Sequence, residues 1–280
     1  MDVFDTPDAM RAWSCACRAQ GERIGVVPTM GALHAGHRAL IDAARARADR
    51  VVVTIFVNPL QFNQHADFDT YPRPLDDDLT LCEHLGADAV YAPTAATMYP
   101  PGYQTHVEPG PLAERLEGPM RPGHFRGVTT VVTKLFGATL PHLATFGRKD
   151  YQQLAIIRRM VADFDTGVEI VDVPIQREAD GLAMSSRNVR LTSPDRAAAV
   201  VLSQALFAAR VMYDDGERDA ERLRASVTET IDAEARARRE YVELVDATTL
   251  VPLDVLDEPA VVLTAAWFGD VRLIDNLLLG

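Results

Sequence analysis

The sequence predicts an α/β fold, a parallel sheet with helices on both faces followed by a smaller C-terminal α+β domain. Three observations carry this. Short β-branched runs alternate with helical periodicity from residue 24 to residue 173, the pattern of strands joined by crossover helices. The run R-V-V-V-T-I-F-V (50–57) is almost continuously apolar, as a strand covered on both faces must be. After about Arg187 the texture changes to long Ala/Arg/Glu-rich helical stretches and short apolar runs.

Each element has a local reason. Thr6-Pro7-Asp8 reads as an N-cap with proline at the first helical position, opening a helix that runs to about Gln20 and Gly21. A strand over 24–27 stops at Pro28. A helix follows around His37, with Leu40, Ile41, Ala44 and Ala48 on one face. The strand 50–57 leads into a polar loop with Asn58, Pro59 and Gln61. A helix over 75–85 and a strand over 87–92 come next. Residues 118–127, rich in Gly, Pro, Arg and His, read as a loop. A helix over 128–140, a strand over 142–146, a helix over 150–162 and a strand over 168–173 complete the alternation. Ligands of such sheets bind at the C-terminal strand ends. The loops after Val27, Val57, Phe146 and Val173 therefore share one edge, and they hold most of the unusual polar residues.

In the second part, Ser193-Pro194-Asp195 opens a long alanine-rich helix reaching Tyr213. A second amphipathic helix spans about 219–238, and strands follow at 241–245, 261–265 and 271–274. The expected domains are 1–178 and 179–280. The Arg/Glu run over 217–240 reads as a solvated helix face rather than a partner helix.

Composition bounds the function. At 280 residues the chain has room for two domains with well-formed cores. It is 48% hydrophobic and 24% charged, the balance of a soluble globular protein. A formal net charge of -12 excludes broad binding to a nucleic-acid backbone, which needs a basic face. No long apolar run predicts a membrane span, and no signal peptide is evident. Cys15, Cys17 and Cys82 form no C-x-x-C pair, which predicts free thiols in a reducing cytoplasm.

The most specific stretch is I-G-V-V-P-T-M-G-A-L-H-A-G-H (24–37). Strand, glycine-punctuated loop and helix start follow in order. Unpaired N–H groups and the helix dipole favour an anion there. His34 and His37 add donors that can follow charge building on a phosphate, which points to ATP. A zinc site is the competing reading, and no close Cys, His or carboxylate group supplies the further ligands. A second cluster joins F-G-R-K-D (146–150) and Gln152-Gln153 to D-G-L-A-M-S-S-R-N (180–188). Lys149 and Arg187 can neutralise a triphosphate, and the Ser185 and Ser186 hydroxyls can hydrogen-bond its oxygens.

Together these stretches resemble the pantothenate synthetase (pantoate–β-alanine ligase) family. The matching blocks are P-T-M-G-A-L-H-A-G-H (28–37), I-F-V-N-P-L-Q-F (55–62), L-E-G-P-M-R-P-G-H-F-R-G-V (116–128), F-G-R-K-D-Y-Q-Q-L (146–154), D-G-L-A-M-S-S-R-N (180–188) and A-A-W-F-G-D-V-R-L-I-D-N (265–276). They cover essentially the whole chain in the family's order. The resemblance implies a Rossmann-like core similar to class I aminoacyl-tRNA synthetases and their nucleotidyltransferase superfamily. It implies that pantoate's carboxylate attacks the α-phosphorus of ATP, giving pantoyl adenylate and pyrophosphate. The amine of β-alanine then gives pantothenate and AMP. It further implies Mg2+ and a homodimer, while the acidic charge and the apolar-run lengths predict no nucleic-acid or membrane partner.

Carried over residue by residue, the resemblance implies an ATP site of Met30, Gly31, Ala32, Leu33, His34, Ala35, Gly36, His37, Gly147, Arg148, Lys149, Asp150, Gln176, Met184, Ser185, Ser186 and Arg187. His37, His34, Lys149 and Arg187 are the catalytic candidates, and Asp150 meets the ribose. Gln61 and Gln153 orient pantoate, Asn58 assists, and Arg121 and His124 seat β-alanine. Asp77 and Asp78 are the candidates for Mg2+, with a surface acidic cap as their plain alternative. Two departures stand out: Arg148 where the family pattern has Glu, and Gln176 where a small apolar residue near adenine is expected. Two other functions compete. A different nucleotidyltransferase would usually carry a D-P-x-H-x-G-H-type segment, and the neutral Gln61 and Gln153 suit a hydroxy acid better than a phosphate ester. A non-catalytic nucleotide-binding regulator would bind ATP without turnover.

Overall fold

A computed structural model describes residues 1–63 and 68–280. Six strands, β1 (Asp2–Phe4), β2 (Ile24–Thr29), β3 (Arg50–Ile55), β4 (Ala89–Tyr91), β5 (Leu143–Gly147) and β6 (Glu169–Val173), form one sheet. Its order is β1-β4-β3-β2-β5-β6, and every neighbouring pair is parallel. The chain leaves β2 toward β3 and β4 on one side, then returns to lay β5 and β6 on the other. The switch point therefore lies between β2 and β5, where such sheets open a ligand crevice at the carboxyl ends of the strands.

Helices cover both faces, as expected. They are α1 (Pro7–Ala19), α2 (Ala35–Arg45), α3 (Leu75–His84), α4 (His124–Thr139) and α5 (Tyr151–Asp163). Thr6 caps α1, its hydroxyl accepting from Ala9 N at 3.4 Å, with Pro7 in the first turn. On one face Ile41 and Ala44 of α2 and Cys82 of α3 pack with Val27, Val51, Val53, Val90, Leu143 and Val171. Val26, Val52 and Ala144 alternate to the other face and are equally buried. There α1 and α4 pack against each other and reach β2.

The strand β2 runs through Pro28 instead of stopping before it. Ile24 exchanges hydrogen bonds with His142 on the β5 side, so by the two-residue repeat Pro28 faces β5 too. Pairing with β5 has ended at Val26, so the missing N–H of Pro28 breaks no ladder bond. The expected loop 118–127 contains a helical turn, Glu117–Met120, and α4 begins at His124 rather than 128.

By internal contacts the chain divides into two units: Met1–Gly147 with Ile156–Val173, and Arg148–Ala155 with Pro174–Gly280. The break falls five residues before the expected 178/179 boundary, and the segment 148–155 groups with the later residues. The second unit holds the antiparallel sheet β7 (Ala237–Asp246), β8 (Ala260–Phe268) and β9 (Val271–Leu279), in that order. Two helices, α6 (Val201–Asp214) and α7 (Ala220–Asp232), complete its core. Leu202, Leu206, Leu223, Val227 and Ile231 pack there with Val262, Ala266 and Leu273.

The long helix expected from Ser193 is two helices, Ser193–Ala198 and α6. The second amphipathic helix ends at Asp232, because Arg238 lies in β7. Residues 193–214 have the length and hydropathy of a membrane span, but half of that stretch is buried within the protein. Leu202, Ala205, Leu206 and Ala209 of α6 belong to the core.

Candidate active site

In the first unit, the β2–α2 loop is shaped by two left-handed residues, Gly31 (φ 80°) and Ala32 (φ 51°). Such a conformation costs a non-glycine residue about 1–3 kcal/mol. Asp78, in the first turn of α3 and only 3% exposed, holds it. One carboxylate oxygen accepts from Ala32 N at 2.8 Å and the other from Leu33 N at 2.7 Å. Hydrogen bonds to a charged group contribute about 1.5–3 kcal/mol each, so two of them outweigh the strain. Gly31 has to be glycine, since a Cβ there would sit 2.8 Å from Asp78 Oδ2.

The loop delivers His34 to the N-cap of α2. Its Nδ1 accepts from Gly36 N at 3.1 Å, and His37 Nδ1 accepts from His34 N at 3.2 Å. The rings lie 4.2 Å apart at 55°. A neutral imidazole whose Nδ1 accepts carries its proton on Nε2. The backbone thus sets both tautomers and makes each Nε2 a donor. Gly36 permits this, because a Cβ there would lie 2.8 Å from His34 Cε1. Ala35 is exposed, and Leu33 packs on the sheet core.

Gln61 is buried at 9%. Its Oε1 accepts from Asn58 Nδ2 at 2.9 Å, and its Nε2 donates to the Met30 thioether at 3.1 Å. That weak acceptor leaves the amide N–H groups available to a better one. Asn58 is 1% exposed and already makes four bonds. Its Nδ2 donates to Gln61 Oε1 and Gly127 O, and its Oδ1 accepts from Leu60 N and Tyr99 OH. Its side-chain hydrogen-bonding capacity is used within the protein, and one of those bonds holds Gln61 Oε1. His124, 6% exposed, is bonded through Nδ1 to Gln61 O at 2.8 Å. Arg121 reaches the same carbonyl at 3.5 Å. Burial pushes the Tyr99 phenol well above its ordinary pKa, so it stays a neutral donor to Asn58.

The second unit carries the other cluster. Lys149 is half-buried in the turn after β5, and Asp150 is exposed. Asn276 Nδ2 donates to Arg148 O and Lys149 O, both at 2.9 Å. The unexpected Arg148 therefore sits on a fixed backbone. Gln153 lies half-buried in the first turn of α5. Residues 176–184 fold back on themselves: Met184 N donates to Gln176 O, and Glu178 N to Leu182 O. The Gln176 side chain turns to Pro174 O at 3.1 Å. Ser185 caps the short helix Ser186–Arg190 by accepting from Arg187 N at 3.2 Å.

The acidic pair does not form a metal cage. Asp78 has both oxygens engaged by the Ala32–Leu33 backbone, Asp77 is exposed, and no group of three or more potential ligands occurs among the described residues. Among the described residues, the carboxylates do not by themselves build a Mg2+ site. The residues that sequence reasoning missed are Asp78 as loop clamp, Tyr99, and the Arg177–Asp275–Asn276 group. The D-N in the last matching block was the one visible trace of that last group.

The Pantoate-beta-alanine ligase family model matches residues 2–278. A pantothenate synthetase of Heliobacterium modesticaldum is 52% identical over 278 residues, covering 99% of each chain. A pantothenate synthetase structure from Thermus thermophilus superposes with a TM-score of 0.93 at 43% identity, covering 99% of each chain. A pantoate-beta-alanine ligase from Francisella tularensis, complexed with beta-gamma ATP and beta-alanine, gives 0.80 at 36% identity over 99% of this chain and 97% of its own.

Proposed function

The chain belongs to the pantoate–beta-alanine ligase family of enzymes, and from that premise we propose that it joins pantoate to β-alanine in two ATP-driven steps. In the first, a pantoate carboxylate oxygen attacks the α-phosphorus. The bond from that phosphorus to the bridging oxygen breaks, and pyrophosphate leaves. In the second, the β-alanine nitrogen attacks the acyl carbon, AMP leaves and the amine proton is released.

The observation that carries this reading is the paired imidazole cap. His34 and His37 both accept backbone N–H groups at Nδ1, so both offer an Nε2–H donor at the start of α2. Donors fixed before the reaction need no reorganisation as charge moves onto the leaving pyrophosphate, and losing one typically costs about 100- to 1000-fold in rate. His37 is the stabiliser of that charge in this reading. The Met30–Leu33 loop and Gly36 receive the nucleotide.

In the second unit, Lys149 and Arg187 supply positive charge to the phosphates, Met184, Ser185 and Ser186 close on them, and Asp150 meets the ribose. Gly147, Arg148 and Gln176 contribute backbone. Gln61 and Gln153 read the hydroxyls and carboxylate of pantoate. A site matched to those hydroxyls rejects analogues that lack them, since its own polar groups would stay unpaired. Arg121 remains the candidate for the β-alanine carboxylate. Mg2+ belongs to the nucleotide here, as such ions keep few protein ligands beside substrate phosphates. No protein ligand is assigned to it. The reading includes a cytoplasmic homodimer, and the three free thiols support the compartment.

The test is single-turnover pyrophosphate release from Mg-ATP with pantoate present and β-alanine absent. A pantoate-dependent burst near one equivalent, turning into steady AMP formation on adding β-alanine, is the expected result. ATP binding without pyrophosphate under any combination would overturn the reading in favour of a regulator.

A further inference from the structure

Asp275 and Asn276 on β9 take no part in the chemistry above, yet they are only 2% and 3% exposed. Asp275 forms a two-point ion pair with Arg177, Nη1 to Oδ2 at 2.7 Å and Nη2 to Oδ1 at 2.9 Å. Asp275 Oδ1 also accepts from Asn276 N at 2.8 Å, and Arg177 Nη1 also donates to Gly181 O at 3.0 Å. Asn276 Nδ2 gives its two hydrogens to the consecutive carbonyls of Arg148 and Lys149. One buried group thus grips both phosphate-directed segments of the second unit, the 148–150 turn and the fold-back 176–184 that leads into Ser185.

We infer that Arg177, Asp275 and Asn276 are positioning residues that set where the Lys149 side chain begins relative to the Met184–Arg187 segment. The inference rests on the reading of Lys149 and Arg187 as contacts of ATP. Stability alone does not account for the group. A buried ion pair is often no more stabilising than well-packed apolar residues of the same volume. What a forked guanidinium and a two-hydrogen amide do supply is fixed direction. Lys149 needs it, because a phosphate contact misplaced by about 1 Å can cost on the order of 100-fold in rate.

The test is a double-mutant cycle with Asn276→Ala and Lys149→Ala. It reads pantoate-dependent pyrophosphate release against ATP concentration, alongside thermal unfolding. Asn276→Ala is expected to lower kcat/KM for ATP about tenfold, leaving KM for pantoate within about twofold. In the Lys149→Ala background the same change should have less than about a twofold effect, because the two act as a unit. An equal loss in both backgrounds, or a joint shift of the ATP and pantoate KM values with the unfolding temperature, would mark a merely structural group and overturn the inference. A silent Lys149→Ala overturns the reading of Lys149 and this inference with it. A defective Lys149→Ala with a silent Asn276→Ala overturns the inference alone. Should Asn276→Ala not fold, Arg177→Lys keeps the charge and loses the fork. It must then show the same ATP-selective loss, and normal ATP kinetics would overturn the inference.

Discussion

Replacing Gly127 by alanine sets two effects of opposite sign against each other. Gly127 lies inside the helix α4, where alanine is favoured over glycine by about 1 kcal/mol. Propensity alone therefore predicts a stabilised protein. The surroundings predict the reverse. A Cβ at 127 would stand 2.4 Å from Leu60 O, 2.5 Å from Leu60 C and 2.7 Å from Gln61 N, all backbone atoms, where ordinary contact begins at 3.4 Å. The helix or the Pro59–Gln61 turn must move by about 1 Å, and overpacking of this kind costs about 1–3 kcal/mol. The net change is a loss of up to about 2 kcal/mol, or a few degrees in the unfolding temperature. The larger consequence is functional. The shift carries Gln61 with it and disturbs the Asn58 bond to Gly127 O. With about 1 Å of misplacement at the amide proposed to orient pantoate, KM for pantoate should rise ten- to a hundredfold by order of magnitude, with ATP affinity little changed. Pyrophosphate release titrated with pantoate, beside thermal unfolding, reads both. A Gly127→Ala protein with raised unfolding temperature and normal pantoate KM would show that propensity decides, and the argument from close approach would be refuted.

Two further outcomes follow from the same geometry. Asp78→Asn keeps the shape but leaves either Ala32 N or Leu33 N facing an amide NH2, at a cost of about 1.5–3 kcal/mol for the lost charged bond. The urea midpoint should fall and ATP affinity should weaken about tenfold or more, whereas unchanged ATP affinity would remove Asp78 from its role as loop clamp. His142 is held below the ordinary imidazole value by burial first, then by Arg18 and Arg23, so the folded state binds its proton more weakly than the unfolded chain. Its contribution is complete above the unfolded value of 6.5 and is lost as pH falls through the lower folded value. The difference in unfolding free energy between wild type and His142→Asn, whose amide oxygen can still accept from Ile24 N, should shrink from about pH 7.5 to about pH 5. A difference that does not vary with pH would contradict it.

What the sequence displayed was whatever repeats locally. Strand runs such as 50–57 and the amphipathic faces of α1 and α2 follow from side-chain alternation and helical spacing, and the His34–His37 segment announced itself as a strand, loop and helix start. What stayed hidden acts across distance. Asp78 lies 45 and 46 residues from the amides it holds, so nothing near it in sequence separates a loop clamp from a metal ligand or a surface cap. Asn58 reads as a loop residue until Gly127 O and Tyr99 OH are seen to complete its bonds. Gly127 itself suggested a loop, whereas it is glycine because the neighbouring backbone leaves no room for a side chain. The break between Ala198 and Val201 was invisible for the opposite reason, since alanine-rich sequence favours a continuous helix and tertiary packing overrode it.

The grip of Asn276 on the 148–150 turn also has a meaning in time. Lys149 O and the amide that holds it are 127 residues apart. At synthesis rates of about 5–20 residues per second, the turn exists for roughly 6–25 s before its anchor is made. The two segments that make up the second unit, 148–155 and 174–280, are separated in the chain by 156–173, which belongs to the first. The first unit has all its residues once Val173 has been made. A growing chain can therefore finish its larger sheet with the histidine cap in place while the lysine turn still waits for its anchor. Order of synthesis therefore lets the larger sheet be completed before the lysine turn is fixed.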